Sequence, residues 1–120
     1  CAMATKDDLG KRGEALACVW AERRGWRVVD RNWRGPGGEL DLIAWDGMTL
    51  VVVEVKTRSS LSFGSPFEAI TATKLHRLRS LAGSWLADHE VRADHVRIDV
   101  VGVLWPAGET PRLMHEAGVG

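Results

Sequence analysis

A chain of 120 residues, 45% hydrophobic and 27% charged, has the make-up of one globular domain with a single core. No apolar run approaches the roughly 18 residues of a membrane span, and the start does not read as a secretory signal. Membrane spans and export are therefore not expected, and two cysteines, Cys1 and Cys18, make no disulfide framework. A reduced, cytoplasmic setting with no membrane partner is the expectation.

The formal net charge is zero, which argues against indiscriminate binding of nucleic acid. Its distribution is less even. Residues 23–34 carry Arg23, Arg24, Arg27, Arg31 and Arg34 against Asp30 alone. Residues 39–54 carry Glu39, Asp41, Asp46 and Glu54 and no base, and residues 56–79 are basic again through Lys56, Arg58, Lys74, Arg77 and Arg79. An acidic centre between basic stretches suits a metal site beside a phosphate-binding surface, whereas the same charges scattered over unrelated faces would mean only solubility.

In chain order, Cys1-Ala2-Met3 reads as an appended start, and residues 1–5 are expected to lack structure. The spacing predicts a helix over 6–24, with Leu9, Leu16, Val19 and Trp20 on a buried face and Gly25 at its C-cap. Asp7 and Asp8 fall in its first turn. A second stripe of small residues, Gly10, Ala17 and Ala21, includes Glu14 and would let another element come close. A strand follows over 26–33 and ends at the turn Gly35-Pro36-Gly37-Gly38. Two apolar runs, 39–45 and 48–57, flank Asp46-Gly47, a strong hairpin signal because both residues tolerate positive φ. The second run is β-branched enough for a central strand.

Residues 59–66 read as a loop, with Ser65 and Glu68 around Pro66 able to cap a short turn. A helix over 71–88 buries Leu75, Leu78, Leu81, Ala82 and Trp85, and a last strand covers 96–104. Residues 6–104 thus form one α/β domain of order α-β-β-β-α-β, a mixed sheet flanked by helices, and residues 105–120 are expected to be an irregular tail. Of the tryptophans, Trp20 and Trp85 read as core. Trp33 and Trp45 are either core or base-stacking residues, with core the safer assignment.

The chemistry gathers on the hairpin. Glu54 and Lys56 are two apart on one strand and leave the same face, where charges are costly unless paired or bound to something. Asp41, on the partner strand, is brought near Glu54 by the turn. Two neighbouring carboxylates repel, and a hard divalent cation such as Mg2+ or Mn2+ relieves that. Lys56 is then placed to neutralise a phosphate or to position water. Val53-Glu54-Val55-Lys56 is also an ordinary amphipathic strand with an ion pair; the spacing Asp41-x12-Glu54-x-Lys56 across a hairpin is what raises it above that. Glu39 shares the face of Asp41 and is either a further, weaker ligand or the partner of an arginine. Arg34, Arg58 and Lys74 are the candidate phosphate contacts. His76 and His115 are assigned no role.

Gly38-Glu-Leu-Asp-Leu-Ile-Ala44, Val53-Glu-Val-Lys-Thr-Arg58, Phe63-Gly64, Pro66, Glu68-Ala-Ile70 and Lys74 closely resemble the YraN-like family of predicted bacterial endonucleases. So do Gly13-Glu14-Ala15 and Arg31-Asn32-Trp33-Arg34. The family is similar to archaeal Holliday-junction resolvases of the restriction-endonuclease-like PD-(D/E)XK superfamily. The resemblance implies that fold, with Asp41 and Glu54 as metal ligands, Lys56 as the catalytic lysine and Glu14 as an acidic residue brought from the first helix. Leu40 stands where the superfamily's name has proline. The implied function is a divalent-metal-dependent endonuclease acting on branched or otherwise structured DNA. The alternative is a nucleic-acid-binding module that keeps the nuclease fold and cleaves little. So small a domain has little surface to embrace a duplex, which leaves a homodimer open.

Overall fold

The computed structural model describes residues 6–60, 62, 64, 65, 67 and 70–119, without the side chains of Lys6 and Asp7. The elements are α1 (Lys6–Arg23), β1 (Arg27–Gly35), β2 (Gly38–Asp46), β3 (Thr49–Arg58), α2 (Ala72–Asp88), β4 (His95–Leu104) and β5 (Arg112–Glu116). They form one α/β domain, a sheet of order β1-β2-β3-β4-β5. The first three strands are an antiparallel meander, β4 lies parallel to β3 after the α2 crossover, and β5 closes the far edge antiparallel. Gly47, at φ 61°, and Gly37, at φ 82°, supply the left-handed residues that the two hairpin turns need. The expected start at residues 1–5 lies outside the described residues, as do Pro66 and Glu68 of the expected cap. Ser65 accepts the N–H of Phe67 at 3.2 Å. Among the described residues no helix is long and apolar enough to cross a membrane.

β3 is apolar on both faces because both are covered. Val51, Val53 and Val55 pack towards α1 with Ala17 and Ala21, while Leu50 and Val52 pack towards α2 with Leu78, Leu81 and Trp85. Thr71 caps α2, its Oγ1 accepting the N–H of Lys74 at 3.1 Å. Trp85 is buried with its indole N–H satisfied by Asp30 at 3.0 Å. Trp33 and Trp45 pack against this same core, which is the core assignment.

Two expectations are corrected. The face of α1 turned to the sheet is the small-residue stripe Gly13, Ala17 and Ala21, all buried, whereas Val19 is 46% exposed and Leu16 and Trp20 only flank the core. Close approach decided this: a Cβ at Gly13 would collide with the Thr57 side chain. The tail is also not wholly irregular, because residues 112–116 form β5. Its anchor is Asp99, fully buried on β4, which accepts from Arg97 Nε at 2.8 Å, is bonded to His115 Nε2 at 2.7 Å and accepts the N–H of Gly118 at 3.0 Å. Burial works to raise the Asp99 carboxyl, but these partners outweigh it and hold it below its ordinary range. A buried carboxylate with its acceptor capacity taken up from three places fastens the last strand.

Candidate active site

The site lies where the start of β2, the end of β3, the first turn of α2 and the N-terminal half of α1 meet. In the β1–β2 pairing, Asn32 stands opposite Asp41, between the rungs Arg31↔Leu42 and Trp33↔Leu40. The β2–β3 pairing ends at Leu42↔Val53, and Asp41 and Glu54 are the next residue of each strand beyond that rung. One row across three strands thus carries Asn32, Asp41 and Glu54. The row is irregular. Leu40 joins the α2-side core and Leu42 the α1-side core, so the alternation of β2 slips at Asp41. Asn32 is left-handed at φ 53°, a conformation that asparagine tolerates.

That distortion brings the Asp41 carboxyl onto the backbone of β3. Asp41 Oδ2 accepts the backbone N–H of Val55 at 2.9 Å, taking over a bond the regular ladder no longer makes. Burial, then the charge of Glu54, push the Asp41 carboxyl up to about 7, while the Val55 N–H pulls it back. Glu54 is buried, and its Oε1 takes two ammonium groups: Lys56 at 3.1 Å and Lys74 at 2.8 Å. Burial lowers Lys56, and the neighbouring Lys74 adds to that. Burial also opposes charge on Lys74, but its bonds to Glu54 and Lys56 win and leave it above the ordinary lysine value. Of the two, Lys56 gives up its proton more readily.

Glu14 enters from α1, half-buried, its carboxyl raised by burial against the bond from Asn32 and further by Glu39. With its amide nitrogen turned to the carboxylates, Asn32 donates to Glu14 at 2.9 Å and to Glu39 at 3.2 Å. Glu39 also has an arginine partner, Arg34, at 3.6 Å. Arg34 itself is exposed. A cleft of about 670 Å3 opens between α1 and the end of β3, lined by Gly10, Glu14, Lys56, Thr57 and Arg58 among others. Gly10 leaves room for it, since a Cβ there would meet nothing within 4 Å.

Asp41, Glu54, Lys56 and Glu14 are therefore brought together, and Lys74 joins them inside the site instead of standing on an outer surface. Asn32 escaped the sequence reading as a site residue. Its visible signal was the residue type, since asparagine is the side chain best suited to a left-handed kink in a strand. Among the described residues no three Asp, Glu, His or Cys side chains form a ready cage for a metal ion. The donor chemistry nevertheless fits Mg2+ or Mn2+, which take one or two carboxylates and complete their shell with water and phosphate oxygens. Burial, then the charge of Glu54, disfavour an ionised Asp41, and a bound cation would offset both.

Residues 13–103 match the uncharacterised protein family UPF0102. The chain belongs to that family. It is 57% identical to a UPF0102 protein of Renibacterium salmoninarum, covering 98% of this chain and all of the relative, and 58% identical to one of Beutenbergia cavernae over the same shares. Among solved structures it is similar to Archaeoglobus fulgidus Hjc, a Holliday junction resolvase, at 20% identity and a TM-score of 0.47, covering 88% of this chain and 75% of that one.

Proposed function

We propose that this chain is a divalent-metal-dependent endonuclease that hydrolyses phosphodiester bonds in branched or otherwise structured DNA. The observation that carries the reading is the row Asp41–Glu54 with Lys56 bonded to Glu54 at 3.1 Å, beside a cleft that Lys56 and Arg58 line. Asp41 and Glu54 would hold the cation, with Glu14 near enough to influence Asp41. A bound Mg2+ or Mn2+ supplies charge neutralisation at the phosphoryl oxygens and acidifies a water. Lys56 stands at the same carboxylate with a lowered pKa, suited to orient that water or to stabilise developing negative charge. Asn32 fixes Glu14 and Glu39, and the Val55 N–H fixes Asp41, so the acidic groups are preorganised by neutral donors. Arg58 and Arg34 would contact phosphates on either side. A domain this small covers little of a duplex, so a homodimer acting in the cytoplasm belongs to the reading.

A second reading has one observation in its favour. Glu54 is already neutralised by two lysines, which suits a nucleic-acid-binding module that cleaves little. Linear, flapped and four-way DNA incubated with Mg2+, Mn2+ or a chelator separates the two. Cleavage that needs metal and is lost in Asp41→Asn supports the nuclease. Binding without cleavage of any of these DNAs, with either metal, gives the lead to the module.

A further inference from the structure

We propose that Lys74 is a built-in counter-cation of this site, one that must leave Glu54 before the carboxylate can hold a divalent ion. The inference rests on the nuclease reading above and adds a residue that controls how the site is loaded. Lys74 Nζ lies 2.8 Å from Glu54 Oε1, nearer than Lys56 at 3.1 Å and on the same oxygen. One ammonium suffices to neutralise one carboxylate. Glu54 therefore carries one ammonium more than it needs, both of them on a single oxygen. A divalent cation bound by Glu54 would compete with both ammonium groups for that carboxylate, and like-charge repulsion would drive out the lysine that is freer to move.

Lys74 is the lysine built to move. Lys56 grows from β3 itself, two residues from Glu54, and lines the cleft wall. Lys74 reaches across from the first turn of α2, where its backbone N–H is held by the Thr71 cap at 3.1 Å. That turn contains no acidic residue, and the helix dipole disfavours an ammonium there. The helix therefore does not account for Lys74; Glu54 does. Its side chain is 28% exposed, against 7% for Glu54, so the flexible stem has an open side into which to swing. Released from Glu54, the ammonium is within the same site as the incoming phosphodiester. One lysine thus serves Glu54 when cation and DNA are absent and the phosphate when they are present, which makes cation and DNA binding mutually reinforcing.

Mn2+ binding measured by titration calorimetry on the full chain tests this, with Lys74→Met and Asp41→Asn beside the wild type. Lys74→Met keeps the apolar stem and removes the charge, and Mn2+ should bind it on the order of tenfold more tightly. Equal or weaker binding overturns the role of Lys74 while leaving the nuclease reading intact, provided Asp41→Asn still weakens binding. Binding that ignores Asp41→Asn, or no binding by wild type and Lys74→Met alike, sinks both. The unaltered chain gives a second readout that needs no variant. Mn2+ should speed modification of the Lys74 amine by an amine-reactive reagent, mapped by mass spectrometry, relative to exposed Lys11. A Lys74 rate that Mn2+ leaves unchanged overturns the proposal.

Discussion

Asp41 Oδ2 accepts the backbone N–H of Val55 at 2.9 Å, so a side chain fastens β2 to β3 where the regular pairing has stopped at Leu42↔Val53. The bond holds the carboxyl in place without offsetting what disfavours its ionised form. Burial and Glu54 push Asp41 up to about 7. A carboxyl with a raised pKa in the folded state holds its proton more tightly there than in the unfolded chain, so stability falls as pH rises. The window runs from about 4, the ordinary carboxylate value, to about 7, and the total loss is on the order of 2–4 kcal/mol. Thermal melts of the metal-free chain across that window should show the decline, and Mg2+ should offset it at pH 8 by binding only the folded state. A flat profile between these pH values contradicts the electrostatics assigned to Asp41.

DNA affinity should depend on salt through two arginines, one at the cleft and one away from it. Arg58 lines it, with its guanidinium resting on the Thr57 carbonyl at 2.9 Å, and Arg34 lies beside Glu39 on β1. If both contact phosphates, Arg34→Ala with Arg58→Ala should weaken binding and shallow the slope of log K against log salt by about one per lost contact. An unchanged slope means these arginines are only solvated.

The hairpin, the central strand and the Asp41, Glu54 and Lys56 group were legible because each rests on a short-range rule. Asp46-Gly47 fixes the turn, and a short run of β-branched residues after it suits a strand covered on both faces. In α1 the small-residue stripe is legible as a place of close approach; what residue size alone does not tell is that Gly13, Ala17 and Ala21, and not Leu16, Val19 and Trp20, form the buried face. β5 stayed hidden because its five residues, Arg-Leu-Met-His-Glu, carry little strand preference. What holds them is Asp99, and its bonds to His115 and Gly118 span 16 and 19 residues. Asn32 and the Lys74–Glu54 pair are likewise long-range facts, the first made by a slip in register and the second by a helix crossing.

Gly13 offers a test of the α1 docking. Alanine is the better helix former by about 1 kcal/mol, yet its Cβ would strike the Thr57 side chain. Overpacking costs about 1–3 kcal/mol, so packing should win and Gly13→Ala should lower the melting temperature. It should also impair cleavage, because the neighbouring Glu14 moves with the helix. Thr57→Ala in the same chain should restore part of both. A Gly13→Ala chain that melts higher and keeps its activity shows that α1 does not approach β3 so closely.

Asp41 and Asp99 make a paired test, because the same substitution should act on them with opposite sign. Both aspartates are shielded from water, but burial and Glu54 disfavour an ionised Asp41 while Asp99 has Arg97, His115 and the Gly118 N–H. Asn is nearly isosteric in each place and removes the charge. At Asp41 it relieves repulsion with Glu54, so the metal-free protein should melt several degrees higher at pH 8, at about 4 °C per kcal/mol for a domain of this size. At Asp99 it weakens charge-assisted bonds to a buried acceptor, a loss of about 2–4 kcal/mol. Hydrogen exchange should then accelerate in β5, which pairs with β4 through Val101↔His115. The pH dependences also differ. Asp99 is depressed, so its contribution is present above the ordinary carboxylate range and is lost only as pH falls through its own lower pKa. Asp41→Asn should abolish metal-dependent cleavage at any pH where the chain is folded, whereas Asp99→Asn should spare it at temperatures where the variant remains folded. If the two variants shift the melting temperature in the same direction, the contrast between a carboxylate awaiting a cation and one already satisfied is wrong.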